Sequence, residues 1–415
     1  MKEEILFLSH RIPYPPDKGD KIRSWRLLQH LTQRFRVHLA CFVDDPNDFT
    51  HRDFLESICE TVALVPLSSK LSRLKSLSGL VTGAPMSFSY FRDARMLKVV
   101  RAARTRPLLA EVVFSSTMAP YIEEPVAGRK RIVDFCDADS EKWREYSQQA
   151  SWPLAPIYGR EARRLAMAET KIANWADASF AITQQEAMIF NERAAIARPV
   201  DWFANGVDID LFDPNQTPMD SACRCDCVFV GAMDYRANVE GVLNFAKHVW
   251  PLIRMTSPTA RFAIVGANPD TKIARLHDAN GIIVTGRVAD VRPWLLGARI
   301  VIAPLLVARG IQNKVLEAMA MAKPVVASSG AMTGIDAPAH AVIIANDPQE
   351  VVNAVCELMI DDARCKTLGA AARNYVCTQF SWERSFVRLD QALERLGLHS
   401  SSSSSSAFSP PSSAN

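Results

Sequence analysis

Short apolar runs rich in Ile, Val and Leu recur along the chain, each followed by a polar or Gly/Pro-containing loop and then by a stretch of helical apolar spacing. In the first half these runs are Ile5 to Ser9, Val37 to Val43, Val62 to Pro66, Val112 to Ser115, Arg131 to Phe135 and Ala178 to Thr183. In the second half they are Asp226 to Val230, Arg261 to Val265, Gly281 to Val284, Arg299 to Ala303 and Val325 to Ala327. Strands that alternate with helices pack as parallel sheets through right-handed crossovers. The pattern therefore predicts an α/β protein with two doubly wound sheets. The alternation lapses in ARPVDWFANGVDIDLFDP, where two prolines, a glycine and no long period mark a linker. The expected organisation is residues 1–198, residues 199–378, a last amphipathic helix within 379–397 carrying Trp382, Phe386, Leu389 and Leu393 on one side, and a disordered Ser-rich tail at 398–415.

With 415 residues, 48% of them hydrophobic, the chain can bury two cores. A net charge of +3 is too small to signal nucleic acid. The opening MKEEILFLSH is wrong for a secretory signal, and no apolar run reaches the length of a membrane span. Nine cysteines without paired spacing fit reduced thiols in a cytoplasmic protein. Cys223, Cys225 and Cys227 alternate as strand residues do, with no histidine nearby to complete a zinc set, so no metal site is expected there.

Residues 299 to 327 read as strand, loop, helix, strand. Ligands of open α/β sheets sit beyond the carboxyl ends of the strands, here the loop from Pro304 to Asn313. Gly310 permits close approach of backbone to a ligand, and free amides near Ile311, Gln312 and Asn313 favour an anion such as diphosphate. Lys314 and Glu317 share a helix face, offering a cation for phosphate and a carboxylate for ribose hydroxyls. An ordinary ion pair on a solvated helix would use the same letters. Gly231 and Gly286 follow strands and can admit a donor, although turn chemistry also selects glycine. No G-x-G-x-x-G follows a strand, which argues against a dinucleotide site.

In the first half, HRIPYPPDKGD forbids helix until Gly19-Asp20, after which Ile22, Trp25, Leu28 and Leu31 form a helical stripe. Gly19 can expose amides to a phosphate or acceptor, Asp20 can cap the helix or act as a base, and Lys18, Lys21 and Arg23 add positive charge. A capped structural turn accounts for the same residues. From Lys70 to Arg106 nine cations face one acid, Asp93, with Met96, Leu97, Val99, Val100 and Ala103 beside them. This pattern fits contact with an anionic membrane surface or a solvated helix face. Asp134, Asp137 and Asp139 cluster after a strand. They read as site carboxylates, with Asp139 or Ser140 capping the next helix and Asp137 contacting donor or acceptor hydroxyls.

The run Gly310, Asn313, Lys314, Glu317 to Ala320 and Pro324 to Ala327 resembles the donor signature of family 4, or group 1, glycosyltransferases of GT-B fold. With DFCDADSEKW and PPDKGDKIRS, the chain is most similar to the PEP-CTERM/exosortase-associated sugar transferases of exopolysaccharide loci. The resemblance implies two Rossmann-like domains with a cleft between them, the first binding acceptor and the second donor, and a C-terminal crossover helix packing on the first. It implies a retaining transfer from a nucleotide-sugar to a glycan or polyprenyl-linked acceptor, with no metal or other cofactor, in the cytoplasm or on the inner face of its membrane. Lys314, Arg309, Glu317 and Asp137 become the candidate catalytic residues. Gly231, Arg236, Gly286 and Gly310 to Asn313 join Lys314 and Glu317 for the donor, and Gly19, Asp20, Arg23 and Asp139 serve the acceptor. The family's first glutamate is replaced by Arg309, and an arginine that often follows the glycine matching Gly231 is replaced by Ala232, leaving Arg236, Arg309 and Lys314 to hold diphosphate. A nucleotide-sugar epimerase of the same fold, or a scaffold on a decayed transferase frame, are the rival expectations.

Overall fold

The computed structural model describes residues 2–193, 195–306 and 311–398. In the first sheet, β1 (Glu4–Ser9), β2 (Arg36–Val43), β3 (Thr61–Pro66), β4 (Ala110–Phe114), β5 (Lys130–Cys136), β6 (Ala178–Ala181) and β7 (Asp201–Trp202) lie in the order β3-β2-β1-β4-β5-β6-β7. The second holds β8 (Cys225–Val230), β9 (Phe262–Val265), β10 (Ile282–Gly286), β11 (Ala298–Ala303), β12 (Val325–Ala327) and β13 (Ile343–Ile344) in the order β10-β9-β8-β11-β12-β13. All the strand pairs are parallel. Ile5 to Leu8 of β1 and Cys227 to Phe229 of β8 are buried on both faces, as the unbroken apolar runs require.

Both sheets begin in the middle, wind to one side, and resume on the other. The direction reverses between β1 and β4 and again between β8 and β11, which are the crevices where this architecture holds ligands.

Among the described residues, those up to Phe203 together with Arg388 to Leu398 form one compact unit, and those between Ala204 and Val387 the other. The first unit extends past residue 198 because Asp201 and Trp202, read in the sequence as linker, pair with Phe180 and Ala181 as an edge strand. Two residues are too short a run to show a period. At the far end of the chain, helix Trp382–Arg395 supplies Asp390 to His30 and Arg34 at 2.6 and 2.8 Å. Arg388 meets Asp201 at 3.1 Å and lies over the Trp202 ring at 4.4 Å. The serine tail lies outside the described residues.

Candidate functional site

At the second reversal, helix Arg236–Asn244 follows β8 and helix Asn313–Ala320 follows β11. Good helix formers and an apolar face, Val315, Leu316 and Met319, seat the latter on the sheet and turn Lys314 toward β8. The Lys314 ammonium donates to Asn238 Oδ1 and lies 5.1 Å from the centre of the Phe229 ring. Asn238 is fixed in turn by its amide, which donates to Ala232 O at 2.8 Å. Lys314 therefore spans the crevice between the two helices that flank it. One proton goes to Asn238, and among the described residues the ammonium has no second acceptor.

The start of helix Asn313–Ala320 is open. Gln312 stands at the N-cap position without a side-chain capping bond, and Val315 and Leu316 take up its carbonyl at 2.9 and 3.3 Å. Among the described residues the amides of Asn313 and Lys314 have no acceptor, the usual state of first-turn N–H groups and one that favours an anion. Asn313 is oriented by Asn205, whose amide donates to its Oδ1 at 3.2 Å. Asn205 thus reaches the helix start from the segment after β7. Ile311 is buried beneath this helix start.

Burial governs the electrostatics. Desolvation pushes Lys314 down to about 8, against the opposing pull of Glu317, and pushes Glu317 up to about 7, against Lys314. Both side chains keep some solvent access, and among the described residues no ion pair within 4 Å joins them. They are half-buried rather than on a solvated face, so the ordinary surface ion pair is not what the helix carries. A bound anion would restore the solvation that Lys314 has lost. Its affinity should be full below pH about 8 and fall as the pH rises through that value, because the ammonium is then lost. Calorimetric titration of a nucleoside diphosphate at several pH values checks this, and a flat profile would remove Lys314 from the contact.

Glycines set the close approaches. A Cβ on Gly266, whose φ is +156°, would fall 1.8 Å from Gly231 O, so β8 and β9 end almost in contact. A Cβ on Gly241 would meet Pro304 O at 2.6 Å, so helix Arg236–Asn244 lies directly against the loop after β11. Gly241→Ala is expected to cost about 1–3 kcal/mol in urea unfolding and to weaken nucleotide binding, because the loop after β11 must move. Unchanged stability and binding would show that the loop yields freely.

The other donor candidates are less closely placed. Gly231 lies at the crevice, but Gly286 ends β10, two strands away, with a φ of +67° and open space where a Cβ would stand. Arg236 is 69% exposed and paired with Glu240 at 2.7 Å, as an ordinary helix-surface pair would be. Arg309 and Gly310 lie outside the described residues.

At the first reversal, Gly19 and Asp20 open helix Gly19–Arg34 as the prolines predict. Asp20 does not cap it; its carboxylate meets Arg11 at 2.7 Å and His10 at 3.2 Å. Burial alone would raise this carboxyl, but the bonds from His10 and Arg11 hold it well below the usual range. Asp20 is a poor base, then, and suits positioning. Arg23 does not fit acceptor binding. Its guanidinium is fully buried, bound through two nitrogens to Asp134 at 2.8 and 3.1 Å and through a third to Phe203 O at 2.8 Å. Lys21 is likewise buried, against Asp48 and Asp17.

Asp137 and Asp139 lie beyond the carboxyl end of β5, both partly accessible. Neither Asp139 nor Ser140 caps helix Asp139–Gln149: Ala138 holds the N-cap position, and Glu186 and Glu169 accept the amides of Ala138 and Ser140 at 2.8 and 3.0 Å. Burial raises the Asp139 carboxyl, with the nearby Asp137 adding to the rise and Lys142 and His10 opposing it. Ser115 and Cys136, after β4 and at the end of β5, take φ of 78° and 65°, strained values for residues other than glycine, of the kind that gather at functional sites.

Two residues of these crevices escaped the sequence reading. His10 follows β1 directly, stacks on Phe114 with ring centres 5.7 Å apart, and meets Asp20 at 3.2 Å. Asn238 is the partner of Lys314. The signal for His10 was its place at a strand's carboxyl end; Asn238 had none, because its pairing crosses 76 positions.

Residues 224–361, which lie within the second unit, match the family described as Glycosyl transferases group 1. No curated protein matches the chain. Among solved structures, the chain is similar to sucrose-phosphate synthase from Thermosynechococcus elongatus, at 17% identity and a TM-score of 0.66, covering 95% of this chain and 99% of that one. It is similar to HepE from Anabaena in complex with UDP-glucose, at 17% identity and a TM-score of 0.66 over 94% of this chain and 99% of that one. WaaG, a glycosyltransferase involved in lipopolysaccharide biosynthesis, aligns at 14% identity and a TM-score of 0.63 over 94% and 99%. The fold is GT-B.

Proposed function

We propose that this protein is a retaining glycosyltransferase that moves a sugar from a nucleotide-sugar donor, held at the second reversal, to a hydroxyl of a glycan or polyprenyl-linked acceptor in exopolysaccharide synthesis. The observation that carries the reading is Lys314, a partly desolvated ammonium beside an uncapped helix start at a topological switch point. As the glycosidic bond breaks, charge develops on the departing diphosphate. Lys314 and the amides of Asn313 and Lys314 would stabilise it, with Glu317 accepting ribose hydroxyls and no metal required. The acceptor hydroxyl attacks the anomeric carbon from the face that the phosphate leaves and passes its proton to the departing diphosphate oxygen, giving retention without a covalent sugar intermediate.

The group 1 match supports a nucleotide-sugar donor, and the HepE complexes with UDP and UDP-glucose make a uridine diphosphate sugar the first to try. The acceptor belongs with the carboxylates of the first reversal, Asp137 and Asp139 among them, with Gly19 and Asp20 at the facing helix start. The resemblance to exosortase-associated sugar transferases points the product toward exopolysaccharide. The enzyme would work against an anionic membrane surface, through the basic segment 70–106.

Nucleotide release from a panel of sugar donors, with and without an oligosaccharide or polyprenyl-linked acceptor, tests this. Acceptor-dependent release, unaffected by chelator, is expected. Release that needs no acceptor would mean epimerase or hydrolase chemistry, and no release with any donor would leave a binding protein.

A further inference from the structure

Helix Ser69–Thr82 is turned inside out. Its buried face consists of Ser72 and Gly79, with Ser76 partly covered, whereas Leu71, Leu74, Leu77, Leu80 and Val81 are exposed, from 37% at Leu80 to 91% at Val81. Spacings of three, three and four residues put Leu71, Leu74, Leu77 and Val81 in one stripe along the side away from the protein. The helix is held by polar and backbone contacts in place of a leucine face. Arg160 of helix Leu154–Trp175 donates to Gly79 O at 2.6 Å, Glu161 accepts the amides of Met86 and Ser87 at 2.7 and 2.9 Å, and a Cβ on Gly79 would come within 3.1 Å of Ala84 O. The small residues are what allow this approach.

The surroundings of the stripe are basic. Lys70, Arg73 and Lys75 lie on the same helix, which holds no Asp or Glu, and the one acid between Lys70 and Arg106, Asp93, is taken up by Arg95 at 2.9 Å, with Lys75 at its edge at 3.8 Å. At the start of helix Leu154–Trp175, about 9 Å along its axis from Arg160, stand Leu154 and, just before it, Trp152, which is 85% exposed. Leucines flanked by long cationic side chains and an exposed tryptophan match the layered chemistry of a lipid surface, with apolar groups below, cations at the phosphates and indole between.

The other half of the basic segment is different. In helix Ala94–Ala103, Met96 and Val100 are fully buried in the first unit's core, and Arg95 is committed to Asp93 and to Pro66 O. Its apolar face, singled out in the sequence, is spent on the fold.

We propose that helix Ser69–Thr82 lies in the plane of an anionic bilayer surface, with Leu71, Leu74, Leu77 and Val81 among the lipid headgroups and Lys70, Arg73 and Lys75 at the phosphates. This deepens the membrane contact named above and rests on the same reading of segment 70–106, but its test involves no sugar transfer. A twofold contact between copies would bring these cations onto one another, whereas an anionic bilayer supplies both hydrocarbon and opposite charge. Among the described residues no helix is long and apolar enough to cross a membrane, so the contact is with the surface.

Full-length protein would be sedimented with vesicles of phosphatidylcholine alone and of phosphatidylcholine with phosphatidylglycerol, and its mass in solution measured in parallel. Binding is expected to the anionic vesicles, weakened by salt. Lys70→Glu with Arg73→Glu should lower the partition coefficient at least about tenfold, and Leu74→Ser with Leu77→Ser and Val81→Ser should abolish binding, all positions being exposed and so tolerant in folding. Lys98→Ala with Arg101→Ala in the neighbouring helix should retain most of it. The proposal is overturned if the wild-type protein does not bind, if the helix variants bind as well as wild type, or if the serine variant only converts a dimer to a monomer. None of these outcomes depends on acceptor-dependent nucleotide release, so the two readings can fail separately.

Discussion

Lys314→Ala should lower sugar transfer at least about 100-fold, the scale for losing one charged donor to a transition state. The loss should appear mainly in kcat, because charge on the diphosphate grows as the bond to the sugar breaks, although nucleotide affinity should weaken too. Folding should be little affected. Desolvation already disfavours the ammonium at this position, so an alanine removes a group the fold tolerates rather than one it needs. Asn238 has a second anchor through its amide, which donates to Ala232 O at 2.8 Å, and Phe229 is held in the core of β8. Steady-state kinetics with the best donor, alongside thermal unfolding, measure both. Turnover equal to wild type in a folded variant would refute the role.

Asp134→Ala should cost the first unit about 3–5 kcal/mol, because it leaves the Arg23 guanidinium buried without its counter-charge. Arg23 reaches from helix Gly19–Arg34 to β5 through Asp134, to the carbonyl of Phe203, and over the Phe203 ring at 3.8 Å. One cation thus fixes the helix that carries Asp20 against the strand that leads to Asp137. Hydrogen exchange of the β1 and β5 amides in increasing urea reads the first unit locally. A change below about 1 kcal/mol would mean that the pair is hydrated and behaves as a surface ion pair.

Much of the fold was legible because central parallel strands are buried on both faces and so write themselves as continuous apolar runs. β1, β2, β8 and β12 fall within a residue of their expected limits. The two-residue edge strands β7 and β13 carry no such signature, since a single pair of residues cannot show a period. What the sequence could not show was the destination of its charges. Arg23 and Lys21 look like neighbours of Asp20 in a basic cluster, yet at helical spacing they turn into the protein, and their partners Asp134 and Asp48 are far along the chain. The leucines of helix Ser69–Thr82 mislead in the opposite sense, because a pattern of apolar residues does not say whether a core or a lipid covers them. Lys314 and Glu317 stand out as candidates from their place after a strand and loop. Their shifted protonation depends on how far the fold buries them, which only coordinates show.

The most direct test of the central claim is a crystal structure of the protein with the nucleoside diphosphate that raises its Tm most, UDP being tried first. Phosphate oxygens are expected within hydrogen-bonding distance of the Lys314 ammonium and the first amides of helix Asn313–Ala320, with the ribose against Glu317. A nucleotide bound away from the crevice between β8 and β11, or none that raises the Tm, would contradict it.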